Sequence, residues 1–360
     1  MRVAVLGVGL IGGSIGLAAR HRLDAQVAGY DSDWSNTERA LELQALDRAA
    51  SSVDDAVDGA EIVFCAAPIG ALPALVAEAL AASANDAVVT DVGSTKRVLL
   101  AGLSGDEKER FIGGHPLAGA ETAGVQNARP DLFEGARWYL TPTERSSGMH
   151  YDRLQRAIAD LGARPQAIDP ESHDRLMATV SHVPHVIANV LVREAAAAAE
   201  EESERLPEVG ASFRDTTRVA GANPGIWGDI FATNREAVAR EIDAVSERLR
   251  EAAELIRSGD SEGVAAWHGA AREDRRRLLE VDLAGGELHE LRVTVENRPG
   301  TVAEIALALG RARVNIEDMA LYPAPDMRTG AVSLWVAGEE EAGRAAEIVG
   351  GLGYSVAVSD

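Results

Sequence analysis

A glycine-rich turn between an apolar strand and a helix is the feature that most limits how this chain can fold. The run Arg2–Leu6 is followed directly by Gly7, Gly9 and Gly12. Gly7 permits a tight turn, Gly9 lets the backbone approach a pyrophosphate, and Gly12 lets the helix pack closely on the strand. The helix N-terminus then offers N–H groups and a positive dipole end to an anion. The pattern predicts a dinucleotide-binding turn made of Gly7, Gly9, Leu10, Ile11 and Gly12.

An acidic residue at the end of the second predicted strand indicates which dinucleotide binds. Asp31 follows Gln26–Tyr30 and lies 19 residues beyond Gly12. A carboxylate there accepts a hydrogen bond from a ribose 2′-hydroxyl and repels a 2′-phosphate. The sequence therefore favours NAD over NADP. The basic segment Arg20, His21 and Arg22 keeps NADP open as the alternative.

The first half of the chain has the pattern of an α/β domain. Short apolar runs alternate with helical patterns, and several runs are apolar on both faces, which is typical of a parallel sheet covered by helices. Right-handed βαβ crossovers are therefore predicted. The predicted strands are Arg2–Leu6, Gln26–Tyr30, Glu61–Ala66, Ala87–Asp91, Arg110–Gly113, Arg137–Thr141 and a last one at Ala163–Ile168.

A helical segment follows from Pro170 to about Asp282. Its longest predicted helix carries an apolar seam with helical spacing, which fits either the core of a bundle or a contact between subunits. The seam consists of Val238, Ile242, Val245, Leu249 and Ile256.

The end of the chain changes pattern again after Gly285-Gly286, which is interpreted as a hinge. The order βαββαβ indicates a ferredoxin-like arrangement. Its predicted elements are Leu288–Glu296, Thr301–Ala312, Val314–Tyr322, Ala331–Ala337, Glu339–Gly350 and Tyr354–Val358. We therefore expect three domains: a Rossmann-type parallel sheet in residues 1–169, an all-helical domain in 170–284 and a ferredoxin-like domain in 285–360.

The charge of the chain excludes several classes of partner. The formal net charge is −22, and no basic run is longer than Arg275–Arg277, so binding to nucleic acid or to an anionic membrane is not expected. Cys65 is the only cysteine, which excludes an intrachain disulfide and a thiolate metal cluster and fits a reducing cytoplasm. No segment has the composition of a membrane span. We expect a cytoplasmic protein without a metal site.

Polar residues occur where the predicted sheet and helices should be apolar. Ser94 and His115 follow strand ends, on the side where open α/β sheets bind ligands. His182 and His185 share one helix face, since residues at i and i+3 are neighbours. These two histidines lack the third ligand that a zinc site needs.

Downstream of these histidines, Arg218 follows Asp215 by three residues, which suggests a guanidinium held in one orientation. The glycine turn supplies a hydride acceptor by binding the dinucleotide. A dehydrogenase of the alcohol or hydroxy-acid type also needs a base, a hydroxyl and a cation, and the sequence offers them at His115, Ser94 and Arg218.

The motifs that carry these residues resemble those of prephenate dehydrogenases. Besides the glycine motif they are DVGSTK, GGHPLAGAE, SHVPH and FRDTTRVAGANPGIW, in the same order, over about residues 1–283. The remaining part resembles an ACT domain, a small-molecule regulatory module. The resemblance implies a Rossmann domain, a helical dimerisation domain and NAD-dependent oxidative decarboxylation of prephenate to 4-hydroxyphenylpyruvate in tyrosine biosynthesis.

The resemblance also implies a role for each polar residue. His115 would accept the proton of the ring 4-hydroxyl as hydride leaves that carbon, and Ser94 would hydrogen-bond His115 and orient the substrate. Arg218 would pair with a substrate carboxylate, with Asp215 holding it in place. The other implied pocket residues are His182 and His185, near the pyruvyl side chain, and Glu121, at the entrance.

Three alternatives to prephenate oxidation stay open at this point. Arogenate carries an amine in place of the side-chain ketone, and His185 favours prephenate. The β-hydroxyacid dehydrogenase group resembles this chain in domain order but uses a lysine on the helical domain, and no lysine follows Lys108. An amino-acid-sensing regulator with a vestigial nucleotide fold would need no base such as His115 beside the nicotinamide.

The last domain carries a candidate amino-acid site. Backbone N–H groups at the start of its first helix can receive a carboxylate. We expect tyrosine, the pathway product, to bind there and lower activity; the alternative is that the domain only adds contact within a homodimer. The candidate regulatory residues are Asn297, Arg298, Pro299, Gly300, Asn315 and Ile316.

Overall fold

The computed structural model of the chain describes residues 1–119, 122–201, 209–280, 288–296, 301–312, 314–316, 318–324 and 329–359. These residues form two units, Met1–Glu247 and Arg248–Asp360. The first unit therefore contains the predicted sheet domain and most of the predicted helical segment. The division into three domains stays a prediction.

A mixed sheet of eight strands organises the first unit. The strands lie in the order β3-β2-β1-β4-β5-β6-β7-β8. All neighbours from β3 to β6 are parallel, β7 is antiparallel to β6, and β8 is parallel to β7. The order reverses between β1 and β4, which is where such sheets bind ligands. The strands are β1 (Arg2–Leu6), β2 (Gln26–Tyr30), β3 (Arg48–Ala49), β4 (Ile62–Cys65), β5 (Val88–Asp91), β6 (Phe111–Pro116), β7 (Arg137–Thr141) and β8 (Arg164–Ala167).

The α/β class and all seven predicted strands are confirmed, but the sheet is not parallel throughout. The expectation of parallel pairing is wrong at β7, which runs antiparallel to β6. A parallel pair needs a crossover that carries the chain back along the sheet, usually through a helix. Between Pro116 and Arg137 the described residues form only a 3-10 turn at Val125–Asn127, so the chain returns in the opposite direction. The two-residue β3 was not predicted, because so short a strand leaves no periodic pattern.

Helices cover both faces of the sheet. Val3 and Val5 of β1 belong to one buried apolar cluster, and Ala4 and Leu6 belong to a second. Successive strand residues point to opposite faces, so a strand buried on both sides must be apolar throughout. The helices among the first 169 residues are α1 (Leu10–Leu23), α2 (Trp34–Glu42), α3 (Val53–Val57), α4 (Leu72–Ala82), α5 (Arg97–Leu100), α6 (Gly105–Arg110) and α7 (Gly148–Asp160).

The predicted helical segment consists mainly of helices in its described residues. A π-helical turn, Ala178–His182, joins its first two helices, and a 3-10 segment, Arg218–Gly221, follows the third. No described helix has both the length and the apolar composition needed to cross a membrane. The helices are α8 (Pro170–Met177), α9 (Val183–Glu201), α10 (Ala211–Thr217), α11 (Pro224–Thr233), α12 (Arg235–Ser258) and α13 (Ser261–Glu280).

The apolar seam of α12 has two different environments. Val238 is buried in a small core with α9, and Ile242 and Val245 pack against that core. Leu249 and Ile256, farther along the seam, are each 62% exposed. The first half of the seam is therefore bundle core, as one of the two expectations has it, and its second half is apolar surface, for which a contact between subunits stays a prediction.

The second unit contains the predicted βαββαβ arrangement. The strands form an antiparallel sheet in the order β10-β11-β9-β12. One face packs on the two helices around Leu291, Leu334 and Val349. This order is that of a ferredoxin-like fold. After α13 the elements are β9 (Leu288–Glu296), α14 (Thr301–Arg311), β10 (Asp318–Pro323), β11 (Thr329–Ala337), α15 (Glu339–Gly351) and β12 (Ser355–Ser359).

Candidate active site

The glycine turn after β1 has the backbone geometry of a dinucleotide site. Gly7 has φ +95°, and a Cβ there would lie 2.5 Å from the carbonyl oxygen of Ala66. A Cβ at Gly12 would lie 1.9 Å from the carbonyl oxygen of Gly7. A Cβ at Gly9 would meet nothing within 4 Å, so the space above this residue is open. Gly9 also begins α1 without a side-chain cap, which leaves N–H groups of the first turn for an anion.

Asp31 is fixed against this turn. Its Oδ2 accepts a hydrogen bond from the N–H of Val8 at 2.6 Å, and its Oδ1 accepts one from the N–H of Asp33 at 2.9 Å. The carboxylate therefore lies at the end of β2 beside the glycine turn, where it can receive a ribose hydroxyl. These residues fit NAD.

A fully buried ion pair joins the ends of β5 and β6. Nζ of Lys96 donates to Oδ2 of Asp91 and to the carbonyl oxygen of Gly114. Asp91 also accepts from the N–H groups of Gly93 at 2.7 Å and Gly114 at 3.1 Å. Burial raises the pKa of Asp91 and lowers that of Lys96, and the opposite charge of each partner acts against the shift. The pair ties down the backbone that precedes His115.

His115 is the predicted base, and its ring contacts another histidine. Its Nδ1 lies 2.9 Å from Nε2 of His173, and the two rings meet edge to face. The predicted hydrogen bond to Ser94 is not formed among the described residues, and Nδ1 is bonded to His173 instead. Ser94 is partly buried in the loop after β5. Burial lowers the pKa of His115 well below its usual value, and His173, Lys96 and His182 lower it further. The ring is neutral near pH 7 and able to accept a proton.

His182 and His185 are both buried, at 1% and 3% exposure. His182 ends the π-helical turn, and its Nδ1 lies 3.2 Å from Nδ2 of Asn234, whose amide also donates to the carbonyl oxygen of Asp174. Burial lowers the pKa of His182 to about 4. Burial also lowers the pKa of His185. Both imidazoles are therefore neutral near pH 7.

An aromatic wall from α11 flanks His185. Its ring stacks on Trp227 with centroids 3.6 Å apart, and Phe231 lies beside both. Nδ1 of His185 has no hydrogen-bond partner in the described part of the chain. A buried polar atom without a partner is costly unless a ligand or water satisfies it.

The predicted contact between Arg218 and Asp215 is absent among the described residues. Both side chains are exposed, and Asp215 makes no hydrogen bond or ion pair there. Asp215 lies in α10, which ends at Thr217, and Arg218 begins the 3-10 segment that follows. Arg218 does have an interaction partner.

Several predicted residues cannot be placed in this site. Glu121 lies outside the described residues, as do Asn297, Arg298, Pro299 and Gly300 of the candidate regulatory site. In the second unit, Asn315 is exposed and Ile316 packs against the apolar core.

His173 and Asp174 were missed by reasoning from the sequence. Both are buried in α8, and Asp174 accepts hydrogen bonds from the N–H groups of Lys96 at 2.7 Å and Arg97 at 2.9 Å. The sequence shows a histidine next to an aspartate in the first turns of the helical segment. This pair alone is also typical of the exposed start of a helix, so it did not indicate a buried site.

The arrangement can bind a dinucleotide beside a neutral, half-buried base. In the described part of the chain no group of three or more His, Cys, Asp or Glu residues could hold a metal ion. The chemistry available to these side chains is therefore proton transfer by imidazole and binding of an anion or a hydroxyl group.

Two families match the chain. Residues 15–166 match the family described as prephenate dehydrogenase, nucleotide-binding domain, and residues 169–269 match the prephenate dehydrogenase dimerization domain. Prephenate dehydrogenase of Bacillus subtilis strain 168 is 28% identical over 357 residues, which are 96% of this chain and 95% of that protein. Cyclohexadienyl dehydrogenase of Zymomonas mobilis is 30% identical over 265 residues, which are 72% of this chain and 90% of that protein.

A solved structure has the same fold over most of its length. The crystal structure of prephenate dehydrogenase from A. aeolicus, in complex with hydroxyphenyl propionate and NAD+, matches with a TM-score of 0.72 at 29% identity. The match covers 77% of this chain and 98% of that chain.

Proposed function

Because the chain belongs to the prephenate dehydrogenase family, we propose that it converts prephenate to 4-hydroxyphenylpyruvate, with NAD as the hydride acceptor. The chain is an NAD-dependent oxidoreductase of that family. The assignment of the catalytic base rests on the position and the charge of His115. This residue is a neutral imidazole at the carboxyl end of β6, on the side of the sheet where the glycine turn lies.

NAD, when bound, takes hydride from the carbon that bears the 4-hydroxyl group. The turn Gly7–Gly12 would hold its pyrophosphate, and Asp31 would accept from its ribose hydroxyl. Asp31 is supported in this role because its carboxylate is fixed at the turn by the N–H of Val8.

In the proposed reaction His115 accepts the 4-hydroxyl proton as hydride leaves the same carbon. Loss of carbon dioxide returns an electron pair to the ring, which becomes aromatic, and the proton goes back to the phenolic oxygen. The lowered pKa of His115 supports this role, since only a neutral imidazole can accept the proton. The aromatic product drives the reaction, so the site mainly has to align the reacting groups.

The substrate side chain would lie along His182, His185 and Arg218. Nδ1 of His185 lacks a partner in the described part of the chain and is available to a ligand oxygen. The 3-10 segment that begins with Arg218 packs against α9, which carries His185. We assign Arg218 to a substrate carboxylate, because a guanidinium can pair with it through two parallel hydrogen bonds. The roles of Ser94, Asp215 and Glu121 in this pocket stay predictions from the resemblance.

Arogenate is the second candidate substrate, because it shares the cyclohexadienol ring and differs only in the side chain. Its ammonium group would be placed next to neutral imidazoles, which offer it no compensating negative charge. We therefore expect a higher kcat/KM for prephenate than for arogenate. The test follows NADH formation with each substrate at several concentrations. An equal or higher kcat/KM with arogenate would assign the enzyme to that substrate.

We also propose that the protein acts as a homodimer. The match to a dimerization domain supports this, and so does the exposed apolar half of α12 with Leu249 and Ile256. Trp267 and Leu278 of α13 are exposed as well, at 51% and 73%. Exposed apolar side chains mark a protein interface when they form one continuous patch. Light scattering on the full chain should give twice the mass of 37.9 kDa.

Residues 285–360, the last part of the second unit, are proposed as an ACT-type regulatory domain that binds tyrosine. Its ferredoxin-like order supports the assignment, and Asn315 is exposed there. Tyrosine should lower activity in the full chain, and Asn315→Ala should weaken that inhibition. Undiminished inhibition of the variant would move tyrosine to the catalytic pocket. A cytoplasmic location stays a prediction from the composition.

A further inference from the structure

Two buried side chains next to His115 have no role in the proposed reaction. His173 is 0% exposed and Asp174 is 1% exposed, and both lie in α8. Nδ1 of His173 lies 2.9 Å from Oδ1 of Asp174, and its Nε2 lies 2.9 Å from Nδ1 of His115. The three side chains therefore form a continuous hydrogen-bonded chain that starts at a carboxylate and ends at the proposed base.

The carboxylate end of this chain determines where the protons lie. Asp174 accepts from the N–H groups of Lys96 and Arg97 at 2.7 and 2.9 Å, which is the bonding of an ionised carboxylate. An ionised carboxylate can only accept, so Nδ1 of His173 must carry a proton. Nε2 of a neutral His173 then has a lone pair, and Nδ1 of His115 must donate to it. The proton of neutral His115 therefore lies on Nδ1, and its Nε2 is free to accept another.

We propose that His173, held by Asp174, is a positioning residue that fixes His115 as the Nδ1-protonated tautomer, so that Nε2 is the basic atom. The inference rests on the proposed function, since it takes His115 as the base. It adds which atom of His115 forms the new N–H bond when the O–H bond of the substrate breaks. A histidine tautomer is set by the hydrogen bond that its other nitrogen makes.

Independent features of the structure agree with this role. Burial lowers the pKa of His173, which keeps the ring neutral and its Nε2 able to accept. Tyr139 packs against His173 edge to face at a centroid distance of 5.7 Å and restricts the ring further. When His115 takes up a proton, its Nδ1–H still has an acceptor, so the imidazolium is stabilised without any rearrangement.

The test reads the tautomer directly, in protein labelled with ¹⁵N in the histidine rings. Long-range ¹H–¹⁵N spectra of the wild-type full chain with NAD, without substrate, should show His115 protonated on Nδ1. The His115→Asn variant identifies the signal. In His173→Phe, which keeps a ring but offers no acceptor, the proton of His115 should move to Nε2. The same variant should lower kcat about 10²-fold or more, since a positioned base contributes roughly 10²–10⁴-fold, while KM for NAD stays unchanged.

Two further variants separate positioning from a general loss of packing. His173→Gln can place an amide oxygen near Nδ1 of His115 and should restore part of kcat. His150→Phe is the matched control, because His150 is also buried, at 9% exposure, and in the described part of the chain the one hydrogen bond of its ring goes to the carbonyl oxygen of Glu109. This control should keep both the His115 tautomer and kcat.

The outcomes also distinguish this inference from the proposed function. An Nε2-protonated His115 in the wild-type spectrum would overturn the inference, whatever the activity, and so would full kcat in His173→Phe. If the wild-type chain formed no NADH with prephenate while His115 was protonated on Nδ1, the proposed substrate would be wrong and the tautomer assignment would hold.

Discussion

Replacing Lys96 by methionine should destabilise the first unit, because the change removes one charge of a buried ion pair. The side chain is completely buried, and so is its partner Asp91. Methionine has nearly the same length, so the change removes a charge without leaving a large cavity. Asp91 would keep the N–H groups of Gly93 and Gly114 but lose its cation, and the carbonyl oxygen of Gly114 would lose its donor.

The expected loss follows from this unpaired charge. Removing one member of a buried pair typically costs about 3–5 kcal/mol. A whole domain is stabilised by only about 5–15 kcal/mol, so the loss is a large part of the total. The double variant Lys96→Met/Asp91→Asn removes both charges and should recover at least about 1 kcal/mol relative to Lys96→Met.

The assay is urea unfolding at neutral pH, followed by near-ultraviolet circular dichroism at one protein concentration. Lys108→Met is the matched control, since Lys108 is the only other lysine and is partly exposed. It should change the free energy of unfolding by less than about 0.5 kcal/mol. Equal losses in Lys96→Met and Lys108→Met would refute the reasoning, because the buried pair would then contribute no more than a surface charge.

Three other changes test separate parts of the structure. Asp31→Asn keeps an acceptor for the backbone but loses the charge, so the ratio of kcat/KM for NAD to that for NADP should fall about tenfold or more; an unchanged ratio would contradict the assignment of Asp31. Gly12→Ala should lower the free energy of unfolding by about 1–3 kcal/mol, because its Cβ meets the backbone of Gly7, whereas Gly9→Ala should leave it unchanged; equal effects would contradict the geometry of the turn. Folding lowers the pKa of His182 from 6.5 to about 4, so the unfolded chain binds this proton more readily than the folded one. The contribution of His182 to the free energy of unfolding is therefore fully present above pH 6.5 and falls by about 3 kcal/mol as the pH drops to 4. The measurement is urea unfolding at both pH values. The loss between them should be smaller in His182→Asn than in wild type and unchanged in a variant of the exposed His268. An equal loss in the two variants would contradict the role of His182.

Much of the fold could be predicted because its signals are local. Gly7, Gly9 and Gly12 mark a turn whose geometry depends on the absence of side chains, and the structure forms it. The doubly apolar β1 predicts a strand with helices on both faces, and its residues enter two cores. The antiparallel β7 could not be predicted from its own residues, since its direction depends on the connection before it, whose described residues form no α-helix.

The candidate site was predicted in part, for a physical reason. Polar residues at strand ends, such as His115, are conspicuous because the surrounding pattern is apolar. The partners of these residues are not conspicuous, because His173 comes from a helix 58 residues away and meets His115 only in the folded chain. Lys96 is one of two lysines in a chain that otherwise uses arginine, and its single ammonium group bonds both the Asp91 carboxylate and the Gly114 carbonyl oxygen.

The central claim is that this chain oxidises prephenate with His115 as the base. The most direct measurement compares wild type and His115→Asn, with NADH and 4-hydroxyphenylpyruvate quantified together from prephenate and NAD. Wild type should form the two products in equal amounts, and the variant should bind NAD equally well while kcat falls roughly 10²–10⁴-fold. A wild-type chain that forms neither product, or a variant that keeps full kcat, would contradict the account.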